Sequence, residues 1–153
     1  MELTLTSSVF KNGETIPEKH TADGADISPP LSWGDVPANT EAFALIMDDP
    51  DAPAGTWVHW VLANIEGETR SINEGVPAEE TVLGSAVHGK NDFGNYGYGG
   101  PAPPPGKPHR YFFKLYALDT ILEVDPGITK DGLLQAMQGH ILAEAELIGK
   151  YER

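Results

Sequence analysis

Apolar residues gather in three short runs along this chain, set between long polar stretches punctuated by Gly and Pro. The first run, EAFALIM (41–47), is β-prone and too short for a helix. The second, TWVHWVLANI (56–65), is apolar on both faces and predicts a central strand. The third, HRYFFKLYALD (109–119), predicts another strong strand. Residues 1–10 alternate loosely and read as an edge strand. KNGETIPEKHTADGADISPPLSWGDVP reads as an ordered loop region with short extended pieces, anchored by Leu31 and Trp33. TRSINEGVPAEE reads as turns, and 81–108 as one long Gly/Pro-rich loop. Loops of that length in compact domains are more often functional than accidental. In the tail the period changes. Thr129 can N-cap a helix, and Leu134, Met137, Ile141, Ala145 and Ile148 recur at three- and four-residue steps. The expected fold is mainly β: an antiparallel β-sandwich with a C-terminal amphipathic helix.

Composition sharpens this picture. The 153 residues suit one domain, 1–153, with a sizeable core. Gly (17) and Pro (13) make up about a fifth of the chain, against roughly 12% in average usage. That favours many turns between short strands over a helical bundle. The absence of Cys rules out disulfides, thiolate metal sites and a Cys nucleophile. MELTLTSSVF has neither a basic n-region nor a long apolar h-region, and no apolar run is long enough to span a bilayer. A soluble, cytoplasmic protein is expected. Acidic residues outnumber basic ones 23 to 10, for a net charge of −13. That field repels nucleic acid and anionic membrane surfaces, so a small anion must be held by local donors.

Strand parity indicates where such donors can meet. Side chains on one strand face recur every second residue. His109 and Tyr111 therefore share a face with Phe113 and Leu115, while Arg110, Phe112 and Lys114 point the other way. Phe43, Leu45, Met47 and Asp49 share a face, and His59 sits with Trp57 and Val61. If the three strands meet at one end of a sheet, Asp49, His59, His109 and Tyr111 converge under the long loop. Imidazolium N–H, a phenol and backbone N–H groups of GYGGP are all anion donors. A carboxylate beside a histidine raises its pKa and holds its tautomer. Other chemistries find less support. Asp/His/His can ligate a divalent metal, but HExxH and tight HxH spacings are missing. GxSxG, P-loop and GxGxxG patterns are also missing. His140 reads as structural, and nothing singles out His20 or His88.

Four segments carry a family resemblance: SPPLSW (28–33), FALIMDDPDAPAGTWVHWVLANI (43–65), GKNDFGNYGYGGPAPPPGKPHRYFFKLYALD (89–119) and MQGHILAEAELIGKY (137–151). The chain resembles the phosphatidylethanolamine-binding protein (PEBP) family, in its short prokaryotic branch labelled Raf kinase inhibitor-like. The resemblance implies a Greek-key β-sandwich. It also implies a pocket for small anions and phospholipid head groups, formed by Asp49, His59, Gly100, Pro101, His109 and Tyr111. Asp51 and Pro53 would shape its rim, in a turn suited to a cis peptide. The Gly100 region would contribute backbone N–H. Ala22 and Ala102 stand where many prokaryotic members carry Cys, and His20 where an aromatic is common. None of these departures is expected to touch the matched pocket residues.

The expected function is non-enzymatic binding of a small anionic or phosphorylated ligand, without a cofactor or metal. The alternatives are inhibition of a kinase or protease through the pocket rim, and weak hydrolysis with Asp49 and a histidine activating water. The resemblance further implies a homodimer.

Overall fold

A computed structural model describes residues 2–153. Nine strands and one α-helix follow in the order β1 (Thr4–Thr6), β2 (Leu31–Gly34), β3 (Ala42–Asp49), β4 (Trp57–Glu66), β5 (Ser71–Ile72), β6 (Thr81–Val82), β7 (Ala86–His88), β8 (His109–Leu118), α1 (Lys130–Met137) and β9 (Ile141–Tyr151). β1, β2 and β5 form a small antiparallel sheet with β1 at its edge. The larger antiparallel sheet runs β6-β7-β4-β3-β8-β9. The connection after β7 carries the chain past the β4–β3 hairpin, so β8 returns beside β3. That is Greek-key order.

The main core lies between the sheets. Leu5, Leu31, Trp33 and Ile72 of the small sheet meet Phe43, Leu45, Met47, Phe113 and Leu115 of the large one. Ala44, Ile46, Val61 and Ala63 face the other way and are covered by Leu122 and by Leu133 and Met137 of α1. β3 is buried at all eight positions because it is covered on both faces. This accounts for its unbroken apolar run and supports the central assignment of β4.

Two expectations are corrected. The tail helix is short: Thr129 does cap it, accepting from Gly132 N at 3.1 Å, but it ends at Met137. Gly139 turns the chain with φ of 81°, and the rest of the predicted helix is strand β9. β9 pairs with the whole of β8, from Ile141 opposite Leu118 to Tyr151 opposite His109. Ala143, Ala145, Leu147 and Tyr151 thereby face the core. Ten residues of free β8 edge outweigh the helix propensity of an Ala/Glu/Leu segment. Secondly, 81–108 is not loop throughout, since it opens with β6 and β7. His88 therefore lies on a strand, fully buried, accepting from Trp60 Nε1 at 3.0 Å.

Candidate functional site

The paired aspartates at the end of β3 divide by parity. Asp48 faces the helix side, where Lys130 Nζ reaches its Oδ2 at 2.6 Å. Asp49 faces the other side, toward β8, and accepts from His109 Nδ1 at 2.7 Å. Its second oxygen accepts from Asp51 N at 2.8 Å, an Asx-type turn that starts the β3–β4 loop. Both carboxylate oxygens are thus committed within the protein.

His59 arrives from β4 through a bulge. Met47 pairs with Trp60 and Asp48 with Val58, which leaves His59 as the extra residue. The bulge resets parity. Trp57 and His59 share the pocket face as predicted, but Val61 packs on the helix side. Bulges of this kind re-aim side chains next to functional sites. His59 Nδ1 donates to the Gly99 carbonyl at 2.6 Å, and Gly99 N donates back to the His59 carbonyl at 2.9 Å. The long loop is therefore docked on β4. Asn91 braces it further, accepting from Phe93 N and Asn95 N while its amide donates to Gly97 O.

These elements enclose a cavity of about 200 Å³. Its floor is His59, His109, Tyr111 and Asp49; its walls are mainly Trp57, Phe93, Pro53 and the Ala102–Pro104 segment. The aromatic groups interlock: Phe93 stands edge-on to both Trp57 and His59 at 5.4 Å, and Tyr111 edge-on to His59 at 5.2 Å. The volume falls below the roughly 300–1,000 Å³ of drug-sized pockets and suits a small group.

The electrostatics follow from these partners. In both histidines Nδ1 donates, which leaves Nε2 as the uncommitted ring nitrogen. Burial pushes the His59 pKa down; the Gly99 carbonyl and Asp49 offset this only in part. Neutral His59 therefore presents a lone pair at Nε2. Tyr111 is fully buried, and burial raises its phenol far above the ordinary value, so it remains a donor. Among the described residues, its hydroxyl is the one fully occluded side-chain polar atom without a hydrogen-bond partner in the protein.

Asp49, Pro53, His59, His109 and Tyr111 thus meet at the cavity, while three other predicted residues do not line it. Asp51 supports it from behind. Its carboxylate accepts from Arg110 N, Nε and Nη2, all at 2.9 Å, and those bonds lower its pKa to about 2. Gly100 N is already committed to Asp26 Oδ1 at 2.7 Å, so it is not an anion donor. Gly is needed there for close approach: a Cβ would lie 2.5 Å from Asp26 Oδ1 and 2.6 Å from the His20 carbonyl. Pro101 is buried, with its carbonyl accepting from Ala22 N at 2.9 Å. The peptide bonds of the rim turn, like all the others described, are trans. Ala102 does line the cavity, contrary to expectation. Phe93 and the Pro103–Pro104 pair were not anticipated either; a lone aromatic in a Gly-rich loop was their one available signal. No set of three or more metal-ligating side chains is grouped to hold an ion among the described residues, and no helix is long and apolar enough to cross a membrane.

Comparison with known proteins places this geometry. The family model described as phosphatidylethanolamine-binding protein matches residues 6–152. A UPF0098 protein of Methanothermobacter thermautotrophicus is 49% identical over 99% of both chains. A UPF0098 protein of Aquifex aeolicus is 51% identical over 96% of this chain and 86% of its own. Among solved structures, the PEBP homologue CT736 of Chlamydia trachomatis superposes with a TM-score of 0.91 at 43% identity, covering 99% of this chain and 98% of its own. E. coli YbcL, described as a new member of the mammalian PEBP family, gives 0.93 at 36% identity, covering 100% and 99%.

Proposed function

This chain belongs to the phosphatidylethanolamine-binding protein family, and from that premise we propose that its cavity binds a small phosphorylated or anionic group without chemical turnover. The observation that carries the reading is the Tyr111 hydroxyl, a buried donor with no acceptor in the protein, beside two imidazoles whose Nε2 atoms are uncommitted. A buried donor without a partner costs about 1–3 kcal/mol, which a ligand oxygen would recover. The apolar walls of Trp57, Phe93 and Pro53 lower the local polarity and strengthen polar contacts inside.

Protonation decides how an anion fits. Neutral His59 cannot donate from Nε2 and repels a bare oxyanion there. A phosphate is accommodated when its own P–OH donates to that lone pair, or when His59 gains a proton and donates instead. A phosphate monoester dianion carries no P–OH above its second pKa of about 6, so in either mode its complex holds one proton more than the separate partners, whereas the inorganic phosphate dianion keeps one P–OH and needs no proton in the first mode. Affinity for phosphoethanolamine should therefore fall as pH rises from about 6 to about 8, across the second phosphate ionisation and the ordinary imidazole range.

Hydrolysis is the weaker reading. Asp49–His109 has the geometry of a general base oriented to activate water, and this reading predicts turnover that His109→Ala abolishes.

The test is isothermal titration of phosphate and phosphoethanolamine into wild type and His59→Ala, at both pH values and in buffers of different ionisation enthalpy. We expect net proton uptake when phosphoethanolamine binds wild type, and loss of binding of both ligands in the variant. Affinity for phosphoethanolamine independent of pH, or binding unchanged in the variant, would refute the assignment.

A further inference from the structure

The cavity has a neighbour. An open groove of about 500 Å³ lies beside it, lined by Asp51, Lys107, Pro108, His109, Arg110 and Lys150. His109 lines both. The groove concentrates three of the chain's ten Lys and Arg residues in a protein of net charge −13.

The placement of these cations is unfavourable for folding. Arg110 and Lys150 stand directly opposite each other on β8 and β9. Like charges in that relation destabilise a sheet. The same ladder shows the favourable choice at Lys114, which faces Glu146. Lys19, Lys130 and Arg153 are paired, with Glu74, Asp48 and Asp23 respectively. Among the described residues, Lys107 and Lys150 have no carboxylate partner; Lys11, Arg70 and Lys90 also lack one, but they do not line this groove. Arg110 is held by Asp51 through Nε and Nη2, which leaves Nη1 without a partner in the protein. With three cations against one carboxylate, the groove carries two net positive charges.

Resting on the reading of the cavity as a phosphate site, we propose that this groove is a second anion subsite continuous with it. The ligand class is then a molecule with two phosphoryl groups joined by a short linker, one seated on His59 and Tyr111 and the other on Lys107 and Lys150. The charge balance favours phosphate over carboxylate for the outer group. A terminal phosphate carries about −1.5 to −2, which matches the groove, and lysine binds phosphate as a point charge. The global charge does not forbid this, because at physiological salt interactions beyond about 8 Å are screened and a small ligand responds to the local cations. A flat anionic surface would meet the acidic remainder of the molecule.

The experiment titrates phosphate, pyrophosphate and tripolyphosphate into the full chain and into a Lys107→Gln/Lys150→Gln double variant, with His59→Ala as reference. Pyrophosphate or tripolyphosphate should bind wild type about tenfold or more tighter than phosphate, since the second contact is intramolecular. In the double variant that margin should collapse, with phosphate affinity held within about twofold. Phosphate binding without a margin in wild type, or a margin that survives the double substitution, overturns the second subsite alone. Lysine-dependent binding of the longer anions that survives His59→Ala overturns the cavity reading and the continuity of the two sites. Absence of binding by all three anions overturns both.

Discussion

Tyr111→Phe should move stability and binding in opposite directions. The ring remains, with its edge contact to His59 and its stacking near His109 at 6.5 Å. Only the hydroxyl is lost, and in the unliganded protein that hydroxyl is buried with no partner. Its desolvation cost is about 1–3 kcal/mol, so the unliganded variant should gain about 1–2 kcal/mol. For a domain of this size that gain raises Tm by roughly 2–8 °C. Ligand affinity should fall, because a hydrogen bond to a charged acceptor contributes about 1.5–3 kcal/mol, or roughly ten- to a hundredfold in Kd. Calorimetric melts in phosphate-free buffer, followed by phosphate titration of both proteins, measure the two effects separately. At saturating phosphate the stability difference should shrink or reverse, since ligand stabilises wild type more. A variant less stable without ligand would mean that the hydroxyl has an internal partner. A variant that binds phosphate as tightly as wild type would remove Tyr111 from the site.

Burial lowers the pKa of both His59 and His88. Below the ordinary imidazole value of about 6.5 the unfolded chain therefore holds more protons at these two residues, and stability should decline as pH falls through that window. Protonated His88 would also lose its bond from Trp60. The urea midpoint should be lower at about pH 5.5 than at about pH 7.5; equal midpoints would show that these imidazoles are not held neutral. Gly139→Ala should cost about 1–2 kcal/mol by urea unfolding, because φ there is 81° and an added Cβ meets nothing within 4 Å, so the penalty is backbone strain alone. A neutral result would place the helix-to-strand turn in a different backbone conformation.

The parts of the site that parity controls were legible from the residues. A period of two put His109 with Tyr111, and Asp49 with Met47, on the faces where the fold has them. Parity failed at Val61, because a bulge at His59 inserts one residue, and no residue type in WVHWV announces it. The bulge is specified from outside the strand, by Gly99 bonding both the His59 ring and its backbone carbonyl. The tail shows the same dependence. Ala143-Glu144-Ala145-Glu146 alternates as a strand should, yet Ala, Glu and Leu are strong helix formers, and the apolar positions also fit a helical stripe. The free edge of β8, more than a hundred residues into the chain, settles the choice by offering ten pairing positions. That Gly100 N is taken up within the protein was hidden for a related reason. Glycine marks a close approach of backbone to something, but sequence does not say to what. Here the neighbours are Asp26 and the His20 carbonyl, inside the scaffold. What local pattern conveyed was therefore which groups can share a face. What it left open was which backbone donors remain free once the long loop has docked, and that remainder decides whether the cavity meets an anion with lone pairs or with protons.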